Sequence, residues 1–251
     1  MTTPETAILF ESVEKNLSNK SILHQVNLPV FKGKTTVLLG QSGSGKTTLL
    51  RLAIGLLEPD GGKITTLGFK LHALSSKALL QLRHRFGVLF QDGGLFSSLS
   101  VFQNVAFPLV HHLNLKGSAL KHRVDELLGL VGLSGIEGQM PEELSGGQKK
   151  RVGLARALAL NPEVVFFDEP TSGLDPQNAS RINHLIRDLQ HRLGTTFFVI
   201  THDIASAKAI ADFVCILKEG RIVQHGPAND ILSPLNPHLN QLISSNEYSL
   251  T

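Results

Sequence analysis

The sequence predicts an α/β fold: a mainly parallel sheet covered on both faces by helices, with a helical insertion in its middle. Three observations carry this. Short apolar runs alternate with helical patterns, as in Val164–Phe167, Pro176–Leu193 and Thr196–Ile200, and repeated strand–helix alternation builds parallel sheets. A strand at Thr36–Leu39 runs directly into Gly40-Gln41-Ser42-Gly43-Ser44-Gly45-Lys46-Thr47-Thr48, a Gly/Ser-rich loop that opens a helix. Between about Leu99 and Gly147 strand signals stop. Val101, Val105 and Phe107–Leu109, then Leu120, Val124, Leu127, Leu128 and Val131, recur there at helical spacing.

In chain order, Ala7–Val13 and Ile22–Leu28 read as strands around a polar Asn/Ser/Lys turn. After the helix that begins near Lys46, Glu58-Pro59-Asp60-Gly61-Gly62 is a turn cluster. Strand Lys63–Leu67, helix Ser75–His84 and strand Phe86–Phe90 follow. The alternation resumes after the insertion with a helix over Gln148–Leu160. The tail holds a hairpin around Glu219-Gly220-Arg221 and short helices. Its Pro-bounded, amphipathic stretch Ser233–Ser245 is expected either to pack on the domain or to contact a small regulatory subunit.

The 251 residues are 41% hydrophobic and 18% charged, enough to bury a sizeable core and too apolar for a disordered chain. The 24 Lys+Arg against 21 Asp+Glu leave a net charge of only +3, so charge points to no nucleic-acid partner. Cys215 is the single cysteine, which excludes an intramolecular disulfide framework and a Cys-based zinc site. In its apolar stretch, Phe213–Leu217, it reads as a buried small hydrophobe. No run approaches the ~18–20 apolar residues of a membrane span. Met1–Leu9 lacks the basic and apolar regions of a signal peptide. The expectation is a soluble, intracellular chain that something else must hold at any membrane. Arg83-His84-Arg85 suits a helix C-terminus. Lys149-Lys150-Arg151 reads as a solvated face, and His111 and His112 as surface residues of the insertion.

Chemistry concentrates in three segments. Gly40–Thr48 fits the P-loop pattern in its required strand–helix context; its fixed positions arise by accident in roughly one chain in a hundred of this length. The glycines aim successive N–H groups at phosphate oxygens, and the helix start adds positive potential. Lys46 would reach the β- and γ-phosphates and the Thr47 hydroxyl would ligate Mg²⁺. Val164–Phe167 then ends in Asp168-Glu169, carboxylates at the carboxyl end of a buried strand. Ligands gather at such ends, so Asp168 suits the metal and Glu169 an attacking water. In Leu144-Ser145-Gly146-Gly147-Gln148, Ser145 is a good N-cap and the glycines expose N–H groups at a second helix start.

With these segments in place the chain resembles, over nearly all its length, the ATP-binding cassette (ABC) ATPases. Leu144–Gln148 matches that family's signature sequence unchanged. Gln91 falls at the Q-loop position, Ser172-Gly173-Leu174-Asp175 matches the D-loop, and His202 matches the switch histidine, all in family order. The resemblance implies a P-loop NTPase with a mainly parallel sheet, an antiparallel β subdomain and a helical insertion. It implies one domain over residues 1–251: a RecA-like core plus β subdomain over about 1–98 and 148–251, and a helical subdomain over about 99–147. It further implies an ATPase using ATP and Mg²⁺, as a head-to-tail homodimer in which each nucleotide is sandwiched between two subunits. Gly40, Gln41, Ser42, Gly43, Ser44, Gly45, Lys46, Thr47 and Thr48 would bind ATP in one subunit. Ser145, Gly146, Gly147, Gln148 and Asp175 of the other would close on it. Thr47, Gln91 and Asp168 would hold Mg²⁺, and Glu169, His202 and Gln91 would serve hydrolysis. One departure stands out. The loop between the first two strands, about Lys15–Lys20, has no aromatic residue to stack on adenine; Leu17 takes that place, which predicts weak ATP/GTP discrimination.

The P-loop-to-signature interval is too compact for the coiled-coil arms of chromosome-maintenance members, and one cassette does not fit the translation-associated class. What remains is the separate ATPase subunit of a transporter. The runs Val88–Phe96 and Ser100–Leu109, with Gly93-Gly94-Leu95-Phe96 and Asn104-Val105-Ala106-Phe107-Pro108-Leu109, are most similar to ATPases of the maintenance-of-lipid-asymmetry (Mla) type. These serve membrane proteins with lipid-binding MCE domains. That resemblance implies phospholipid transport, an integral-membrane permease, an MCE-domain partner and a seat on the cytoplasmic face of the inner membrane. Amino-acid and methionine importer ATPases share much of the same run, and a permease-free assembly factor is the alternative from another class.

Overall fold

Strands and helices alternate as the sequence predicts, and the computed structural model describes them over residues 5–18 and 20–247. The chain begins with β1 (Thr6–Leu17), β2 (Lys20–Phe31), β3 (Thr35–Leu39), α1 (Lys46–Ala53), β4 (Gly61–Thr66), β5 (Phe69–Lys70) and α2 (Ser76–Arg83). It continues through β6 (Phe86–Leu89), α3 (Val101–Leu113), α4 (Gly117–Leu130), α5 (Gly146–Leu158), β7 (Val164–Asp168) and α6 (Pro176–Leu193). It ends with β8 (Thr196–Thr201), α7 (Ile204–Ile210), β9 (Phe213–Lys218), β10 (Arg221–Pro227), α8 (Ala228–Ile231) and α9 (Pro237–Glu247). These elements form two compact units, residues up to 80 together with those from 196 on, and residues 81–195.

In the first unit, β2, β1, β4 and β5 form an antiparallel sheet in that order. Separately, β3 pairs in parallel with β8 on one side and β9 on the other, and β10 returns antiparallel to β9. Strands β3 and β8 are buried at every residue, as expected of strands covered on both faces. The antiparallel sheet packs through Phe10, whose ring centroid is 6.4 Å from that of Phe198. The Glu219-Gly220 turn, both residues at positive φ, closes the predicted hairpin. Cys215 is fully buried in β9, and burial pushes its thiol far up. In the C-terminal stretch, α9 packs on its unit through buried Leu239 and Leu242.

In the second unit, β6 and β7 are parallel, in register from Phe86↔Val164 to Leu89↔Phe167. Helix α5 lies against β6 so closely that a Cβ at Gly87 would sit 2.4 Å from the carbonyl oxygen of Ala157, so only glycine fits. The insertion is helical, as its periodicity predicts: α3 opens with a Ser100/Gln103 capping box and α4 follows.

Several boundaries differ from the sequence reading. β1 and β2 pair as far as Leu17↔Lys20, so Lys15–Leu17 is strand rather than loop; Asn19 of that turn lies outside the described residues. Asp60 holds the extension, accepting from Lys15 Nζ at 2.8 Å and from Asn16 N. Helix α5 starts at Gly146 rather than Gln148, because Ser145 and Gln148 cap it reciprocally. The short β5 has too few residues to show a period. His112 is exposed as expected, yet its ring lies 4.1 Å from that of His84, and burial first, then His84 and His111, lower its pKa.

Candidate functional site

In the first unit the phosphate loop follows directly from β3. Gly45, at φ 106, caps α1, and a Cβ there would come 2.8 Å from Leu23 Cδ2, so both conformation and space call for glycine. No side chain caps this helix, which leaves first-turn N–H donors for a ligand. Lys46 is buried and donates to the carbonyls of Gly40 at 2.7 Å and Gln41 at 2.9 Å, which draws its ammonium into the loop. Ser44 Oγ is buried with no hydrogen-bond partner among the described residues. An orphaned hydroxyl, an uncapped helix start and a cation in one loop are the complement of a phosphate group.

The same unit brings His202 to this end of the sheet. Thr201 pairs with Leu39 across β8 and β3, so the residue after β8 and the first glycine of the loop leave neighbouring strand ends. Asp203 donates its N–H to Thr201 Oγ1 at 3.0 Å and caps α7 by accepting from Ala205 N at 2.9 Å. His202 therefore sits between two pinned residues with its side chain exposed. Leu17 ends β1, 37% exposed.

The second unit gathers the remaining residues. The buried run Val164–Phe167 drives β7 and carries Asp168 to its end. Glu169 then turns at φ 49, a left-handed backbone uncommon for a residue with a side chain. Its carbonyl accepts from Ser172 N at 3.2 Å and Lys150 Nζ at 3.1 Å. Gln91, just past β6, donates from Nε2 to Ser172 Oγ at 3.3 Å, so the segment after β6 and the turn after β7 touch. Ser145 and Gly146 are exposed at the start of α5; Leu174 lies against Gly146 and Asn178 against Gly147. Asp175 caps α6, accepting from Gln177 N and Asn178 N, and the Asn178 backbone N–H leads the bonds that hold its carboxyl below the usual range. Among the described residues no three His, Cys, Asp or Glu side chains form a metal cage. The Asp168 carboxylate at the end of β7 is a hard oxygen donor of the kind magnesium takes.

Two side chains that matter here escaped the sequence reading. Lys150, read as part of a solvated face, is 4% exposed. Burial lowers its pKa, while the carboxylates of Asp92, Glu169 and Asp168 act to raise it. Helical spacing places it on the stripe Gly147-Lys150-Leu154-Leu158, all buried, which is the signal that locates it. Asn104, fully buried, binds the segment Phe96–Ser100 to α3. Above that segment Arg156 lies 5.4 Å from the Phe96 ring centroid. Phe90, Phe96 and Phe107 are exposed, with the rings of Phe96 and Phe107 4.9 Å apart.

Residues 23–172 match the sequence model of the ABC transporter family. The chain is 40% identical over 238 residues to the probable ribonucleotide transport ATP-binding protein mkl of Mycobacterium leprae, covering 95% of this chain and 69% of that protein. It is 42% identical to the intermembrane phospholipid transport system ATP-binding protein MlaF of Escherichia coli K12, over 90% of this chain and 84% of that protein. It is also 42% identical to the methionine import ATP-binding protein MetN of Carboxydothermus hydrogenoformans, over 88% of this chain and 65% of that protein. Solved structures are similar to it as well. CbiO1 of Clostridium perfringens, part of the cbiONQ ABC transporter complex, superposes with a TM-score of 0.84 at 32% identity over 95% of this chain and 99% of CbiO1. A dimeric ATP-binding cassette in a post-hydrolysis state, bound to ADP and Pi, superposes with a TM-score of 0.80 at 30% identity, over 88% and 98%.

Proposed function

The chain belongs to the ABC transporter family, as an ATPase that works with ATP and Mg²⁺, and from that premise we propose that it powers phospholipid movement through a separate permease. One observation carries the substrate class. The match to the phospholipid transport protein MlaF runs through 90% of this chain and 84% of that protein's length. The equally identical methionine protein is spanned over only 65%. Methionine import is the second reading, on that 42% identity.

Two copies pack head to tail. In each, the loop from Gly40 to Thr48 holds the phosphates, with Lys46 on the β- and γ-phosphates, and Leu17 covers the base. Ser145, Gly146, Gly147, Gln148 and Asp175 of the second copy close over that nucleotide, which gives the second exposed helix start its role. Thr47, Asp168 and Gln91 would hold Mg²⁺, which would neutralise charge on the phosphates. Glu169 takes the proton of the attacking water and His202 steadies the γ-phosphate. Residues of about 99–147 form a helical subdomain set into a RecA-like core and β subdomain.

The permease seat is the aromatic patch of Phe90, Phe96 and Phe107, exposed apolar rings beside the Q-loop of the kind that mark a docking site. No helix among the described residues is long and apolar enough to cross a membrane. In this reading the permease holds the subunit on the cytoplasmic face of the inner membrane. An MCE-domain protein and a small regulatory subunit complete the assembly. Affinity purification of the chain from gently solubilised membranes is expected to recover a multi-span protein with bound phospholipid. A purely soluble complex would instead support the permease-free class.

A further inference from the structure

We propose that Lys150 is a positioning residue for Glu169, tying the backbone of the hydrolytic carboxylate to the helix that begins at the signature sequence. The inference rests on the reading of Glu169 as the base.

A buried ammonium is costly unless paired. Among the described residues, Lys150 has a single hydrogen-bond partner, the carbonyl oxygen of Glu169 at 3.1 Å. That carbonyl belongs to a residue held at φ 49, a conformation that persists only where its surroundings enforce it. Two donors meet on that one oxygen, Lys150 Nζ from α5 and Ser172 N from the turn itself. A carbonyl has two lone pairs, so both donors are accommodated. The Ser172 hydroxyl is in turn bonded by Gln91. An apolar residue of the same length would fill the space without reaching the oxygen as a donor.

The placement of Lys150 on α5 adds a consequence. Ser145 is the N-cap of the same helix, five positions earlier. Helix α5 is 13 residues long and packed along its inner face. A shift of its start is delivered to the Glu169 backbone through one side chain. Contact of the signature segment with nucleotide in the second copy and the aim of Glu169 in the first are thereby mechanically linked.

The test uses the full-length chain and Mg-ATP, with turnover, KM and ATP affinity measured separately. Lys150→Met keeps the stem and removes the donors. It is expected to lower kcat roughly tenfold, the loss of one charge-assisted hydrogen bond expressed in the rate, with ATP Kd changed less than about twofold. Lys150→Arg, which restores a charged donor, is expected to recover most of that loss. In a Glu169→Gln background, Lys150→Met should alter the residual rate less than about twofold, because the carboxylate it positions is gone. Unchanged kcat in Lys150→Met, a fall matched by equally weakened ATP binding, or full additivity with Glu169→Gln would each overturn the proposal. If Lys150→Met lacks a cooperative melt, Lys150→Gln replaces it under the same criteria. Near-normal turnover in Glu169→Gln alone overturns the base reading. Severe loss there, with no effect of Lys150→Met, overturns only the positioning role.

Discussion

Replacing Asn104 with alanine removes the fastener of the segment between β6 and α3. The Asn104 amide nitrogen lies 2.8 Å from Leu99 O, 3.1 Å from Phe96 O and 3.1 Å from Ser100 O, and its Oδ1 accepts from Phe96 N at 2.9 Å. Two amide protons serve at most two of those carbonyls well, so the side chain contributes about three effective hydrogen bonds at about 1 kcal/mol each. Leaving the Phe96 N–H without a partner adds about 1 kcal/mol, for a total near 3–4 kcal/mol. At about 2–4 °C per kcal/mol for a chain of this size, the melting temperature should fall by roughly 6–16 °C. Scanning calorimetry of the purified chain measures this, and limited proteolysis should show faster cleavage between residues 90 and 100. A decrease below about 2 °C, with an unchanged cleavage pattern, would refute the hydrogen-bond reasoning.

Other expectations follow from individual contacts. Lys15 first and then the Asn16 backbone N–H lower the Asp60 pKa below its usual 3.8, so the bond contributes stability above that pH and loses it as pH falls through the lower folded value. Acid unfolding of Asp60→Asn should lack that component, and identical acid profiles would count against it. Under the proposal that Leu17 covers the base where an aromatic ring would stack, about 0.5–1.5 kcal/mol of base stacking is missing, so competition binding should show weak preference for ATP over GTP; a strong preference for ATP would contradict the placement. Cys215, buried with its thiol pushed far up, should resist a thiol reagent at pH 8 until the chain is denatured. Rapid labelling of the native chain would show that β9 opens.

What was legible in the sequence is what is contiguous. Gly40–Thr48, Leu144–Gln148 and Val164–Glu169 each carry their chemistry within a few neighbouring residues, and the structure sets each at a strand end or helix start. What stayed hidden depends on partners far away in sequence. Lys150 is read as solvated when judged by its charged neighbours, although the helical stripe it shares with Gly147 and Leu154 turns it inward. The extension of β1 through Lys15–Leu17 depends on Asp60, more than 40 residues later. Ser145 is legible as the N-cap of α5, and the reciprocal bond with Gln148 carries the helix back to Gly146 through two poor helix formers. Nothing around Asn104 announces that it, rather than the apolar residues beside it, holds the preceding segment.

Under the proposed function, ATP hydrolysis by this chain moves phospholipid through a partner in the membrane. It is tested most directly by reconstituting the co-purified complex in proteoliposomes and following transfer of a fluorescent phospholipid. Mg-ATP is expected to drive transfer with the wild-type chain, and Glu169→Gln to bind ATP without supporting transfer. Transfer independent of ATP or undiminished in Glu169→Gln, or ATP-driven uptake of methionine with no lipid movement, would contradict it.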